Sequence, residues 1–307
     1  MKLAVIGSIN MDQVVTADRI PGKGETLPGK DLSYVSGGKG ANQAVAMARL
    51  GAQVTMFGCV GNDDNGAQLL KGLELEGIDT SKIDIVDGIP TGLAVITVAE
   101  NDNTIIVIGG ANTSVDDNYF NKIKEELKTF DLIVLQHEIP LDTVYKTVSF
   151  CYENSIPVVL NPAPAADVPQ DIVDKVTYLT PNEHEARLIF QDKGIIDEDL
   201  PEDLTIEKML KAYPEKLIIT SGARGVSVAK KDGTVLTVPG RKAQVVDTTG
   251  AGDTLNGAFS VRIAAGDSVE EALNYANCAA SLSVEKFGAQ GGMPTAEEVK
   301  KRMEEES

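Results

Sequence analysis

The chain has 307 residues, 42% of them hydrophobic, which is enough for one large α/β core with no linker required. Its 46 acidic residues outnumber its 28 lysines and arginines and leave a formal charge of −18, an excess that favours solubility and excludes a basic face for nucleic acid or acidic membranes. Cys59, Cys151 and Cys278 are odd in number and lack C-x-x-C spacing, which excludes a disulfide framework and a zinc site.

Residues 3–6 read as a buried strand, and this apolar run is too short for a signal-peptide core. No run reaches the roughly 18 apolar residues of a membrane span, so the chain is expected in the cytoplasm. Residues 14–34, with Pro21-Gly22, Gly24 and Pro28-Gly29, lack helical periodicity and predict strands joined by turns. Ala41, Ala44, Val45 and Ala48 repeat at helical spacing and stop at Gly51; residues 54–57 form another apolar run. Ala67, Leu70 and Leu73, with Leu69 beside them, predict a helix ending before Gly77. Residues 93–98 and 104–108 flank Glu100-Asn101-Asp102-Asn103 and predict a hairpin. Residues 132–135, 158–160 and 217–219 repeat the short apolar pattern, and the last third is helical: 251–265, 269 to about 285, and an amphipathic segment from 296.

This alternation predicts a doubly wound, mostly parallel sheet flanked by helices, with residues 1–307 in one α/β domain. Two discontinuous segments, about 13–36 and 91–109, break the β-α rhythm and predict a small β-sheet lid over the site. A bare lid exposes apolar side chains and strand edges, so a homodimer is expected.

The most informative stretch is Val246-Asp247-Thr248-Thr249-Gly250-Ala251-Gly252-Asp253-Thr254. Gly250 and Gly252 leave backbone N–H groups uncovered where a helix starting near Ala251 presents its positive end, a place for an anion. Asp253 beside an anion suits a base that takes the proton of an attacking hydroxyl; as an alternative it simply complements the helix dipole. A dinucleotide-binding loop would need G-x-G-x-x-G, and Leu255 stands where its last glycine would be. Asn10 and Asp12 follow the first strand at its carboxyl end, where ligands of open α/β sheets bind, although both residue types are also common in turns. With Lys39, Asn42 and Glu138 they offer the paired donors and acceptors that vicinal hydroxyls need. Gly38 and Gly40 flank Lys39, but G-x-x-x-x-G-K-[ST] is absent, and a glycine turn opening a helix is the plainer reading. His137 and His184 have no metal-binding spacing.

In order along the chain, Gly7-Ser8-Ile9-Asn10-Met11-Asp12, Gly37-Gly38-Lys39-Gly40-Ala41-Asn42-Gln43-Ala44, Asn161-Pro162-Ala163-Pro164-Ala165, Thr180-Pro181-Asn182-Glu183 and Val246 to Asp253 resemble the ribokinase-like carbohydrate kinases, the phosphofructokinase B family. The resemblance covers essentially the whole chain. It implies a ribokinase-like fold and ATP-dependent phosphorylation of a sugar, with Asp253 as base and Gly250, Ala251, Gly252 and Asp253 as the anion hole. Asn10, Asp12, Gly38, Lys39, Gly40, Asn42, Glu138 and Asp253 would hold the sugar. Asn182 would lie near the phosphates, with Glu185 acting through water on Mg²⁺. Thr220, Ser221, Gly222, Ala223, Arg224 and Gly225, together with Gly252 and Asn277, would hold the nucleotide.

Many members hold K⁺ beside the anion loop, and by position its ligands would be Asp247 and Thr249, then Ser283, Lys286 and Gly288 largely through backbone carbonyls, and Gly292. Serine often stands where Gly292 does. The acceptor expected is O5 of D-ribose, because the Asn10 amide can meet a 2-hydroxyl beside Asp12. 2-Deoxyribose, fructose or a nucleoside remain alternatives, as does a sugar sensor without catalysis, which would have no reason to keep a base at 253.

Overall fold

In a computed structural model of the chain, residues 1–100, 102–196 and 201–306 are described; Asn101, in the turn of the predicted hairpin, lies outside them. The chain runs through β1 (Lys2–Ile6), β2 (Asn10–Thr16), β3 (Asp31–Gly37), α1 (Lys39–Arg49), β4 (Gln53–Gly61), α2 (Asp64–Leu75), β5 (Asp79–Val86), β6 (Gly92–Ala99) and β7 (Asp102–Ile108). A 3₁₀ turn, Gly110–Ser114, then leads to α3 (Asp117–Ile123), β8 (Leu132–Gln136), α4 (Leu141–Glu153), β9 (Val158–Asn161), α5 (Gln170–Lys175), β10 (Tyr178–Leu179), α6 (Glu183–Phe190) and α7 (Glu202–Ala212). The last third holds β11 (Ile218–Thr220), β12 (Val226–Ala229), β13 (Val235–Val238), α8 (Ala251–Ala264), α9 (Val269–Ser283), α10 (Ala289–Gly292) and α11 (Ala296–Glu305).

Six parallel strands form the central sheet in the order β10-β9-β8-β1-β4-β5. Side chains alternate across a strand, so Leu3 and Val5 of β1 enter one hydrophobic cluster with α1, α8 and α9, while Ala4 and Ile6 enter a second cluster with α3, α4 and α6. Burial on both faces explains the uninterrupted apolar runs. Strand order reverses at β1: the chain moves to β4 and β5 on one side and later to β8, β9 and β10 on the other. Such a switch point opens a crevice at the carboxyl ends of β1 and β8.

A four-stranded sheet, β3-β2-β6-β7, is built from the two segments that broke the β-α rhythm. Residues 217–219 continue the parallel series only through isolated bridges at its edge. β11 pairs antiparallel with β12 in a separate sheet, β11-β12-β13, joined to the edge of the central sheet by the parallel bridges Leu179–Leu217 and Asn182–Thr220. A short apolar run has the same pattern in either setting, so periodicity alone does not fix its partners.

Helices α1 and α8 approach unusually closely, and Gly257 permits it: a Cβ there would lie 2.7 Å from the Ala46 Cβ and 3.1 Å from the Gln43 carbonyl oxygen. That contact sets the polar first turn of α1 against the first turn of α8. Among the described residues, no helix is long and apolar enough to cross a membrane.

Candidate active site

The crevice is lined first by the turn between β1 and β2 and by the start of α1. Gly38 precedes α1 with φ 89°, and a Cβ on it would lie 2.8 Å from the Asn10 nitrogen and 2.9 Å from the Ser8 carbonyl oxygen. Only glycine has both the backbone freedom and the clearance needed here. Beyond β8, Glu138 accepts hydrogen bonds through Oε2 from Ser8 Oγ at 2.6 Å and from the Lys39 backbone N–H at 3.0 Å. A carboxylate is thereby placed at the positive end of α1.

Asp253 lies in the first turn of α8 and is 7% exposed. Asn42 Nδ2 donates to its Oδ2 at 2.9 Å, and Gln43 Nε2 donates to its Oδ1 at 3.0 Å. Gln43 is itself held: its Oε1 accepts from Gln136 Nε2 at 2.7 Å, and its Nε2 also reaches Asn161 Oδ1 at 3.1 Å. Burial raises the Asp253 carboxyl above the ordinary range, and Glu138 adds to this, whereas Lys39 and the two amides favour the ionised form. A carboxylate so placed is short of solvation but fixed in orientation, as a proton acceptor requires. Sequence reasoning passed over the amides of Gln43 and Gln136. Their signal was position alone, beside Asn42 and two residues before Glu138.

Asn10 and Asp12 alternate onto one face of β2. Both strands paired to Asn10 present glycine, Gly37 and Gly92, and a Cβ on Gly37 would lie 2.3 Å from Asp12 Oδ2. These glycines vacate the space the two polar side chains occupy. Asp12 is pushed up to about 7, mainly by burial and further by Glu138 and Asp253, with Lys39 opposing. Burial works against the charge on Lys39, yet Asp253, Glu138, Glu185 and Asp12 together raise its pKa. One ammonium thus serves four carboxyl groups.

A cleft of about 510 Å³ opens between the four-stranded sheet and the loop before α8, lined by Asp12, Val35, Ile96, Ile105, Thr248 and Gly288 among others. Of the expected sugar contacts only Asp12 lines this open cleft. Asn10, Asn42 and Asp253 are deeply buried.

At the anion loop, Gly250 takes the left-handed conformation, φ 78°, and a Cβ on it would meet Ala289 at 2.7 Å. No side chain caps α8, and a Cβ on exposed Gly252 would touch nothing within 4 Å. The helix end is therefore open. Asp247 accepts from the Thr249 N–H and hydroxyl through Oδ1 and from the Gly288 N–H through Oδ2, at 2.9, 2.7 and 2.9 Å. Burial opposes its charge, but these bonds prevail and hold its carboxyl below the usual range. Val246 and Asp247 donate to the Val284 carbonyl, and Gly292 N–H donates to the Gly288 carbonyl, so residues 247–249, 283–284, 288 and 292 converge. A Cβ at 292 would lie 2.1 Å from the Ser283 carbonyl oxygen, which explains glycine there.

The expected nucleotide contacts are more dispersed. Asn182 and Glu185 form a capping box on α6, with Glu185 N–H donating to Asn182 Oδ1 at 2.9 Å and Asn182 N–H to Glu185 Oε2 at 2.8 Å. Glu185 is 8% exposed and raised chiefly by burial. Thr220 ends β11, and Ser221, Gly222, Ala223, Arg224 and Gly225 form the turn beyond it, in which Ser221 N–H donates to the Gly225 carbonyl at 2.8 Å. Arg224 pairs with Glu183 and Asp203 on the surface. Asn277 Nδ2 donates to the Pro239 carbonyl at 2.7 Å, and Lys286 pairs with Glu298.

An uncapped helix end beside a buried carboxylate, at the switch point of a doubly wound sheet and beneath a small β-sheet, defines a sugar kinase of the pfkB type. The chain belongs to the pfkB family of carbohydrate kinases, whose model matches residues 1–296. It is similar to the ribokinase of Bacillus subtilis, 48% identical over 297 residues that cover 97% of each chain. Among solved structures, ribokinase from Thermotoga maritima is 34% identical with a TM-score of 0.87, covering 98% of this chain and 99% of that one. Arabidopsis thaliana ribokinase, solved in complex with ribose and ATP, is 31% identical with a TM-score of 0.86 and 98% coverage of both chains.

Proposed function

We propose that the protein is an ATP-dependent ribokinase that transfers the γ-phosphoryl group of ATP to O5 of D-ribose. The observation that carries this reading is the Asp253 carboxylate, held by Asn42 and Gln43 at the uncapped N-terminus of α8. In the proposed reaction Asp253 takes the proton of the sugar's O5 hydroxyl as O5 bonds to the γ-phosphorus and the bond to the β-bridging oxygen breaks, releasing ADP. The N–H groups of Gly250 to Asp253 meet charge on the moving phosphoryl oxygens, and the bare Cα of Gly252 lets that group approach closely. Asn10, Asp12, Gly38, Lys39, Gly40, Asn42 and Glu138 hold the sugar. Asn182, Glu185, the turn from Thr220 to Gly225, and Asn277 hold the nucleotide.

Four carboxyl groups sharing the field of Lys39 leave the site short of positive charge for a triphosphate, which suits a divalent cation such as Mg²⁺ held near Glu185 and Asn182. When bound, that cation supplies charge against the phosphate oxygens. Asp247 and Thr249, with Ser283, Lys286 and Gly288 largely through backbone carbonyls and Gly292 through its own, fit K⁺, because these loops lie beside a carboxylate kept ionised by hydrogen bonds.

We propose further that the four-stranded sheet is a lid and closes over the cleft, bringing Asp12 and the buried contacts around the sugar and excluding water as a rival acceptor. Its outer face carries Leu32, Tyr34, Ile106 and Ile108, which are 50, 53, 68 and 48% exposed and share one side of the sheet by register. A second copy of the chain is the proposed cover, giving a homodimer. Residues 1–307 act as one catalytic unit in the cytoplasm. An ADP-release assay over D-ribose, 2-deoxy-D-ribose, D-fructose and nucleosides, with K⁺ and with Na⁺, tests the reading. Ribose should rank first. No turnover of any sugar would favour a sensor instead.

A further inference from the structure

We infer that Asn112 is a positioning residue that fixes which end of the Asn10 amide faces the sugar, and thereby sets the preference for a 2-hydroxyl. The inference rests on the ribokinase reading above and concerns the same pocket. Asn112 lies in the 3₁₀ turn after β7, which is anchored beside the start of β6 by Ala111 N–H donating to the Pro90 carbonyl at 2.8 Å. Gly110 holds φ 50° there, where a Cβ would lie 2.4 Å from the Pro90 oxygen. Asn112 is 1% exposed.

The orientation of both amides follows from one backbone donor. Ile9 N–H can only donate, and it donates to Asn112 at 2.9 Å, so the atom of Asn112 facing it is the carbonyl oxygen Oδ1. The amino group of Asn112 is thereby turned toward Asn10 and the Ile9 carbonyl, which it reaches at 2.7 and 3.4 Å. An amino group requires an acceptor, so Asn10 presents Oδ1 to Asn112 and its own NH₂ to the opposite side. Gly92, the β6 residue paired with Asn10, is needed for this contact: a Cβ there would lie 2.2 Å from Asn10 Oδ1 and 2.3 Å from Asn112 Nδ2.

The consequence for the sugar is a matter of donors and acceptors. Asp12, on the same face of β2, can only accept when ionised, so a hydroxyl lying between the two side chains gives its single proton to Asp12 and needs a donor for its oxygen. The NH₂ of Asn10 is that donor. With the Asn10 amide reversed, two acceptors would face one proton. A sugar without the hydroxyl leaves the Asn10 NH₂ unpaired in a buried position, which weakens it as a substrate.

The test is kcat/KM for D-ribose and 2-deoxy-D-ribose in wild type, Asn112→Asp, Asn10→Ala and the double variant. Asp at 112 still accepts from Ile9 N–H, but its other oxygen demands the NH₂ of Asn10 and reverses that amide. The ratio of ribose to 2-deoxyribose kcat/KM should fall about tenfold or more in Asn112→Asp, the scale of one mismatched buried hydrogen bond. It should not fall further when Asn112→Asp is added to Asn10→Ala, because the effect passes through Asn10. Asn112→Ala, which frees the Asn10 amide to take either orientation, should lower the ratio about threefold and serves if the Asp variant does not fold. An unchanged ratio in a folded variant, or equal losses for both sugars, overturns the positioning role while leaving the ribokinase reading intact. A wild type inactive on ribose overturns both.

Discussion

Replacing Asp12 by Asn separates the demands of binding from those of folding. The folded protein holds the Asp12 carboxyl at about 7 instead of 3.8, chiefly through burial and secondarily through Glu138 and Asp253. Because the folded value lies above the unfolded one, the native state binds this proton more tightly, and stability falls as pH rises from about 4 to about 7. At pH 8 the ionised group costs the fold at most about 4 kcal/mol. Asparagine has nearly the same shape and no charge, but its amide needs partners, which offsets about 1–3 kcal/mol of the gain. Asp12→Asn should therefore raise the Tm of the ligand-free protein by about 2–6 °C at pH 8 and change it little at pH 5, where the wild-type carboxyl is already protonated. Differential scanning calorimetry at the two pH values reads this directly. An equal change at both pH values, or a lower Tm at pH 8, refutes the electrostatic reasoning. The same variant should bind sugar more weakly, since the site loses an acceptor.

Four other outcomes are expected. In wild type, the KM for the sugar should rise as pH falls through about 7, because protonation of Asp12 removes the ionised acceptor; a KM flat from pH 8 to 6 would remove Asp12 from sugar binding. Gln43→Ala should lower kcat by about tenfold and move the acid limb of the rate profile to higher pH, since Asp253 loses a donor that favours its ionised form; a reduced kcat with an unmoved acid limb would leave Gln43 a packing role only. Gly292→Ser should cost about 1–3 kcal/mol of stability, because its Cβ falls 2.1 Å from the Ser283 carbonyl oxygen, and an unchanged Tm in calorimetry would show that the loop yields. Tyr34→Glu with Ile106→Glu should give a monomer by sedimentation, and a dimer that survives this pair would place the interface elsewhere.

Much of the fold was legible in the sequence, for a physical reason. Strands buried on both faces, such as β1 and β8, carry the uninterrupted apolar runs 3–6 and 132–135, and helices that stop at Gly51 and Gly77 carry their own punctuation. The small sheet was legible as a departure from that rhythm. The pairing of β11 with β12 was not, because an apolar run does not name its neighbour. In the site, the glycines at 38 and 250 announced backbone geometry that only glycine adopts. The roles of Gln43, Gln136 and Asn112 come from contacts across 210, 93 and 103 residues of chain, and local sequence gives no sign of such pairings. Asn182 and Glu185 show the converse: the two letters satisfy a helix cap and are also proposed to serve a nucleotide.

The central claim is that Asp253 removes the proton of the sugar hydroxyl. Its most direct test is the turnover of D-ribose by Asp253→Asn beside ribose binding measured by calorimetry. Asparagine keeps the shape but cannot take the proton, so kcat should fall by about a hundredfold or more while ribose still binds with an affinity close to that of wild type. Turnover equal to wild type in that variant would contradict the claim.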